Sequence, residues 1–357
     1  MQSRWNDLSP FGALALLALG WSLGDGSGVM AGLSALALAV AVLAAVHHAE
    51  VVAHRVGEPF GTLVLAVAVT VIEVSLILSM MLAGGAAAAA LPRDTIYAAV
   101  MIICNGVVGL CLLVGGLRHR EQMFRVEGTW PGLAALVALA TLVLVLPTFT
   151  TSSPEGTYTL SQLVFVGLSS LALWSVFVFV QTVRHRDYFL PPGAPADEDV
   201  HAAPPSDARS LASLGLLLVS LVAVVGLAKL LSPRIEAAVA WLQAPKAVVG
   251  IVIAMLVLLP ETWAAVRAAR ANRLQTSMNL AIGSALASIG LTVPAVVLAS
   301  MWLDLPLVLG LEGKDMALLA LSFLVGAITL ASGRTSLMQG AVHLVIFAAF
   351  LFLALVP

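Results

Sequence analysis

The sequence predicts an all-α polytopic membrane protein of about eleven transmembrane helices: one N-terminal helix followed by two inverted five-helix repeats. Three observations predict it. The 357 residues are 61% hydrophobic and only 10% charged, whereas a soluble domain carries about 25% charged residues. Apolar runs of about 20 residues, long enough to cross a bilayer as helices, recur along the whole chain. Two of those runs carry one internal glutamate each, at matching places in the two halves.

In order, the apolar runs lie at 10–23, 29–46, 60–82, 94–117, 130–147, 160–183, 210–231, 246–266, 276–300, 316–332 and 337–356. Strands of a membrane barrel would be shorter and would alternate. Residues 1–9 are polar, so the run that follows reads as a first, short span rather than a cleaved signal. Cys104 and Cys111 lie seven apart on one helix face and cannot bridge each other. The formal net charge of −2 implies no nucleic-acid partner, because most of this surface faces lipid.

Eleven spans put successive loops on alternate sides. Arg4, Arg55, Arg118, Arg120, Arg125, Arg184, Arg186, Arg209, Arg267, Arg270, Arg273 and Arg334 fall on the side of the N-terminus. Arg93, Lys229, Arg234, Lys246 and Lys314 fall on the other. Twelve against five predicts a cytoplasmic N-terminus and an external C-terminus. The break at 184–209, rich in proline and acids, is too polar for a core and reads as a cytoplasmic linker in preference to an acidic regulatory ion site. The chain thus divides into a tail and extra helix (1–28), a first repeat (29–183), the linker (184–209) and a second repeat (210–357).

VLAVAVTVIEVSLILSMML, residues 64–82, carries Glu73 at its middle, and KAVVGIVIAMLVLLPETWAAV, residues 246–266, carries Glu261. Each is the second helix of a five-helix unit. Five is odd, so the second unit enters the membrane upside down. Glu50 precedes Pro59 by nine residues and Glu236 precedes Pro245 by nine. In both cases a short amphipathic stretch leads into an apolar helix start containing a glycine, Gly61 or Gly250. The next helix of each unit has a polar residue at mid-depth: Asn105, eleven after Asp94, and Ser284, eleven after Arg273.

AEVVAHRVGEPFGTLVLAVAVTVIE and LLPETWAAVRAARANRLQTSMNLAIGSALASIGLTVPAV resemble the cation/calcium exchanger superfamily, most closely its bacterial ChaA-type calcium/proton antiporters. The resemblance runs from about residue 45 onward. It implies two inverted five-helix repeats around a central ion site, with an extra N-terminal span as in the proton-exchanging members. Where the family carries Gly-Asn-Ala-Thr-Glu or a close variant, this chain reads VTVIE and LLPE. Only the glutamates match, and Na⁺ or K⁺ joins Ca²⁺ as a credible cargo. Gly283–Ser284 resembles the family's Gly-Ser, and Cys104–Asn105 falls at the corresponding place in the first repeat.

The physics of two intramembrane carboxylates leads the same way. A bare carboxylate at mid-bilayer costs several kcal/mol, and a close pair costs more. Two protons neutralise the pair, and so does one Ca²⁺. If only neutral states let the protein rock, Ca²⁺ must exchange for protons. The expected ion- and proton-binding residues are therefore Glu73 and Glu261, the metal ligands, with Asn105 and Ser284. Backbone carbonyls from locally unwound helix near Thr70 and Leu258–Leu259 would complete about 6–8 oxygens around Ca²⁺. Pro260 would free a carbonyl one turn earlier.

Each of these residues has a plainer reading. An intramembrane acid can bond a neighbouring helix, Asn105 and Ser284 can serve packing, and Thr70 can bond back to its own helix. His343 reads as a packing residue in preference to a proton relay. HHAEVVAH, residues 47–54, lacks the zincin spacing and reads as an interfacial helix, with a metal or pH-sensing role for His47, His48 and His54 as the lesser reading. Arg267, Arg270 and Arg273 read as cytoplasmic anchors. No cofactor is expected, and the partners are lipid, cations and protons. A channel would show a ring of acids or carbonyls. A hydrolase would show a serine elbow, a zinc motif or paired aspartates, and none is present, so no enzyme is expected.

Overall fold

The structure, a computed structural model, describes residues 2–23, 28–57, 60–154, 156–190, 205–241 and 245–356. Thirteen α-helices run in chain order: α1 (Gln2–Leu23), α2 (Gly28–Val56), α3 (Phe60–Gly84), α4 (Leu91–Met101), α5 (Val108–His119), α6 (Val126–Ala140), α7 (Leu160–Phe179), α8 (Asp207–Trp241), α9 (Ala247–Arg270), α10 (Leu274–Gly290), α11 (Thr292–Leu303), α12 (Gly313–Ala331) and α13 (Leu337–Leu355). Taking α4–α5 and α10–α11 as single crossings, ten helical segments among the described residues are long and apolar enough to span a bilayer. The expected first span lies in α1, a 22-residue helix that starts about two turns before the apolar run and is not one of those ten.

The chain packs as two compact units, Met1–Ala89 with Val200–Val249, and Ala90–Asp199 with Gly250–Pro357. Each unit draws on both halves of the sequence.

In the first unit α2 and α8 lie along each other, and α1 and α3 pack against both. A Cβ on Gly226 would fall 2.3 Å from a Leu17 methyl, and one on Gly20 would fall 2.5 Å from Leu230. Small residues thus bring α1 and α8 together. At one end Arg209 grips Asp7 through two bonds of 2.8 Å, Arg55 pairs with Asp207, and His48 Nε2 meets the Asn6 carbonyl at 3.1 Å. The Arg209 guanidinium holds the Asp7 carboxyl below the usual carboxylate range. At the opposite end Lys246 donates to the Ala87 carbonyl at 3.1 Å.

In the second unit α10 touches α4, α5, α6, α7 and α11, while α13 lies on α5. Gly109 faces His343 Cβ and Leu344, and Gly340 faces Leu113 and the Gly109 carbonyl, every distance from an added Cβ being 3.1 Å or less. At one end β1 (Glu121–Met123) pairs antiparallel with β2 (Arg334–Ser336), Gln122 opposite Thr335. Gln122 also donates to the Ala269 carbonyl and Asn272 Oδ1, and Arg125 to the Asp187 carbonyl. The basic loops therefore gather at one end of this unit. Arg93 and Gly310, and Thr148 and Leu311, meet at the other. In each unit the loops that the span count assigns to one side meet one another.

Three features differ from the expected spans. A π-helical stretch, Ile102–Val107, separates α4 from α5. The run 276–300 breaks at Leu291 into α10 and α11. The amphipathic stretches before the two acid helices are C-terminal extensions of α2 and α8, which reach 29 and 35 residues. That is about 43 and 52 Å, against a hydrocarbon core of about 30 Å. In the expected linker, Arg186–Phe189 forms a short 3₁₀ turn held by Asn279, which donates to the Phe189 carbonyl at 2.6 Å. Residues 191–204 and Pro59 lie outside the described residues.

Candidate functional site: the intramembrane carboxylates

α3 is apolar apart from Glu73 and a few threonines and serines, contains no proline, and runs unbroken past its acid. Glu73 is 2% exposed, within the first unit. The Thr70 hydroxyl donates to the Ala66 carbonyl at 2.8 Å, the bond back to its own helix. In the second unit α9 also runs unbroken, with Pro260 inside it. Glu261 follows, half-buried, with Oε2 enclosed.

The expected unwinding at Thr70 and at Leu258–Leu259 is absent. Pro260 removes one backbone donor, and the Thr262 hydroxyl bonds the Leu258 carbonyl at 2.7 Å. That is a bond back to the hydroxyl's own turn; the carbonyl that Pro260 leaves without its helical donor is that of Leu256. Leu258 is buried, and the Leu259 side chain is half exposed.

The two mid-depth polar residues have different surroundings. Ser284 is half-buried on α10. A side chain on its neighbour Gly283 would meet open space. Asn105 is fully buried in the π-helical stretch and turns to α12 and α13. Its amide donates to Ser322 Oγ at 2.8 Å, and Ser322 donates onward to the Leu318 carbonyl at 2.7 Å. Asn105 Oδ1 lies 3.3 Å from His343 Nδ1, and His343 Nε2 lies 3.0 Å from Thr329 Oγ1. Asn105 Oδ1 can only accept, so Nδ1 carries the ring proton and Nε2 accepts from Thr329. Every donor in this circuit has an acceptor with the imidazole neutral. Beside it is a cavity of about 30 Å³ lined by Cys104, Ser322, Gly326, Thr329 and His343 among others, room for about one water.

In HHAEVVAH, His48 is buried against Asn6, with the His47 ring edge-on at 5.3 Å. Among the described residues no three His, Cys, Asp or Glu side chains gather as a metal-ligand group.

The sodium/calcium exchanger protein family model matches residues 26–183 and again 212–356. The chain belongs to this family. It is 49% identical over 359 residues to a candidate ionic transporter, y4hA, of Sinorhizobium fredii, covering 99% of this chain and 96% of that one. It is 38% identical over 308 residues to the sodium-potassium/proton antiporter ChaA of Escherichia coli, covering 86% and 83%. The solved structure of native YfkE superposes with a TM-score of 0.75 at 16% identity, covering 98% of this chain and 99% of that one. The H⁺/Ca²⁺ exchanger CAX gives 0.67 at 14%, covering 96% and 88%. This exchanger-family protein is thus an integral membrane transporter with the fold of those structures, and not an enzyme.

The contacts of Asn105 with Ser322 and His343, and of Arg93 with the Gly310 carbonyl, were not legible as partnerships, because their members lie 217, 238 and 217 residues apart. Two helix starts did carry a local signal. Thr159 and Gln162 form a capping box on α7, and Ser336 and Gln339 form another on α13; the sequence writes them as T-x-x-Q and S-x-x-Q.

Proposed function

We propose that this protein is a secondary antiporter that exports Ca²⁺ from the cytoplasm in exchange for protons, with Glu73 and Glu261 binding both. The observation that carries this reading is a carboxylate inside each of two apolar spanning helices: Glu73 at 2% exposure and half-buried Glu261 with one enclosed oxygen. Intramembrane acids are functional by default. Two protons neutralise such a pair, and one divalent cation does so equally well. An empty pair of charge −2 is the state least able to move through a low-dielectric barrier. Excluding that state is enough to couple the two fluxes. Because among the described residues no group of acids, histidines or cysteines gathers as a metal site, carbonyl, hydroxyl and water oxygens would complete the ion's shell.

The repeats at 29–183 and 210–357 and a cytoplasmic N-terminus belong to the same proposal. The double match of the family model at 26–183 and 212–356 supports the repeats. The grouping of basic loops within each unit supports the sidedness, for a protein of the bacterial plasma membrane.

One observation favours a second cargo. The relative 38% identical is named for sodium and potassium, while one only 26% identical over 267 residues, from Aphanothece halophytica, is named a Ca²⁺/H⁺ antiporter. The deciding experiment is cation-induced proton flux in proteoliposomes, adding Ca²⁺, Na⁺ or K⁺ separately at several fixed pH values. Ca²⁺ should give the largest flux, with an apparent KM that rises as pH falls. A flux seen only with Na⁺ or K⁺ would replace the cargo. A KM flat across about two pH units would reject a shared site for ion and proton.

A further inference from the structure

The two units treat their basic loops differently. In the first unit Arg209 holds Asp7 and Arg55 holds Asp207, so both charges are neutralised. In the second unit Arg118, Arg120, Arg270, Arg273 and Arg334 are exposed, and among the described residues none of them forms an ion pair. The negative end of a helix attracts basic side chains, which accounts for Arg118 and Arg270 in the last turns of α5 and α9. It does not account for Arg120 or Arg334. Arg120 lies just beyond α5 with φ 66° and ψ −61°. That backbone favours glycine, yet the chain places an arginine there. Arg334 stands in β2, opposite Met123 of β1.

These residues share one corner. A Cβ on Gly116 would fall 2.7 Å from the Leu337 backbone nitrogen, so the last turn of α5 lies on the first turn of α13. Gln122 is buried and reaches in to Ala269 and Asn272. His119 Nε2 meets the Arg270 carbonyl at 3.0 Å, which brings the end of α9 alongside. Alternation along β1 then leaves Glu121 and Met123 exposed. Arg120 is three residues from Met123, about 10 Å along a strand, so Arg120 and Arg334 lie within about one Debye length and act together on a ligand. Glu121 is the sole acid in 117–123 and 334–338. Beside the arginines stand long apolar side chains: Leu117, Met123 and Met338 are 70%, 67% and 70% exposed. One spanning segment ends at His119 and another starts at Leu337, so the corner sits where hydrocarbon gives way to headgroups.

We propose that this corner, where α5 ends, β1 pairs with β2 and α13 begins, binds an anionic phospholipid. Arg118, Arg120 and Arg334 take the phosphate, and Leu117, Met123 and Met338 take the first carbons of the acyl chains. The pairing of unneutralised arginines with exposed apolar side chains at headgroup depth selects this partner. A free phosphate or an acidic protein would use the arginines and leave the apolar side chains in water. A lipid with no net charge would gain from the apolar side chains but not from the excess of positive charge. The lipid bridges α5, the ribbon and α13 within one unit. The proposal depends on neither the cargo nor the antiport reading.

The test uses the full chain in phosphatidylcholine nanodiscs containing a small fraction of photoactivatable phosphatidylglycerol. Cross-links should concentrate in residues 117–123 and 334–338, and added salt should weaken them. A phosphatidylcholine probe with the same photoactivatable group should label these residues at least tenfold less. Each of Arg118→Gln, Arg120→Gln and Arg334→Gln should lower the phosphatidylglycerol labelling about fivefold, and the three together at least tenfold. Arg334→Gln alone, at an exposed strand position, keeps the test open should the triple variant fail to fold. Equal labelling by the two probes would overturn the site. So would labelling spread evenly over the lipid-facing helices, or labelling unchanged by Arg334→Gln and, where it folds, the triple variant. Labelling that appears only once residues 191–204 are deleted would also overturn it, because the corner would then belong to that acid-rich segment. Proton flux is not part of the readout, so a failure of the antiport reading would leave this result standing.

Discussion

Glu73 and Glu261 on the one hand, and the Asn105–His343 circuit on the other, are two places where this chain sets polar chemistry inside its apolar spanning helices. They solve the problem differently. In the circuit, Asn105, Ser322, Thr329 and His343 hand hydrogen bonds along to the Leu318 carbonyl, and a neutral imidazole satisfies the whole set. Such a circuit holds the π-helical stretch, α12 and α13 in one arrangement and gains nothing by changing its protonation. A carboxylate does gain, because neutralising its charge changes the cost of keeping it out of water by several kcal/mol. The difference teaches that burial of a polar group does not by itself mark function. What marks it is whether the group's surroundings are complete in a single charge state.

The largest effect should come from the acids. Glu73→Gln and Glu261→Gln keep shape and hydrogen-bonding capacity but lose charge and titratable proton. Each should lower exchange at least 100-fold in proteoliposomes while leaving the melting temperature within a few degrees. Wild-type transport by either variant would collapse the comparison from the functional side.

Asn105→Ala should show the opposite signature. It leaves His343 Nδ1 buried without an acceptor, a loss of about 1–3 kcal/mol visible as a lower melting temperature. The KM for cation should change less than twofold in whatever fraction remains folded. A tenfold rise in KM at unchanged stability would instead make Asn105 an ion ligand, as its depth in the sequence had suggested.

The smallest effect concerns a group outside the apolar core. Arg209 lowers the Asp7 carboxyl below its ordinary range. A depressed carboxyl stabilises the fold fully above its unfolded value of about 3.9 and loses that contribution as pH falls through the native value. Asp7→Asn should therefore cost about 0.5–1 kcal/mol near pH 7, a deficit that shrinks as pH falls below about 4. A deficit independent of pH would mean that packing of α1, and not the ion pair, carries the contribution.

The spans were legible because hydropathy in lipid is nearly a one-dimensional constraint, and the positive-inside count fixed their parity. The contacts of Arg55 with Asp207 and of Gln122 with Asn272 lie where that parity puts them. What the sequence did not disclose is local geometry. The π-helical stretch at Asn105 turns that side chain toward α12 and α13, and matching Asn105 to Ser284 by depth could not register a change of face. Pro260 suggested an unwound helix, but α9 runs through it from Ala247 to Arg270. The break at Leu291 has no proline at that residue and no glycine in a left-handed turn to announce it.

The short β1–β2 ribbon has a consequence for how the molecule is made. Gln122 and Thr335 pair across about 210 residues of chain, so the ribosome must deliver β2 before β1 has a partner. The last helix, α13, follows immediately and supplies the face on which α5 packs through Gly109 and Gly340. During synthesis, α4 to α12 of the second unit therefore wait in the bilayer with one seam open, and the seam closes only when the final spanning segment arrives. The four helices of the first unit are complete by Trp241. A chain cut shortly before Arg334 would retain every carboxylate discussed above and still lack the piece that closes the second bundle.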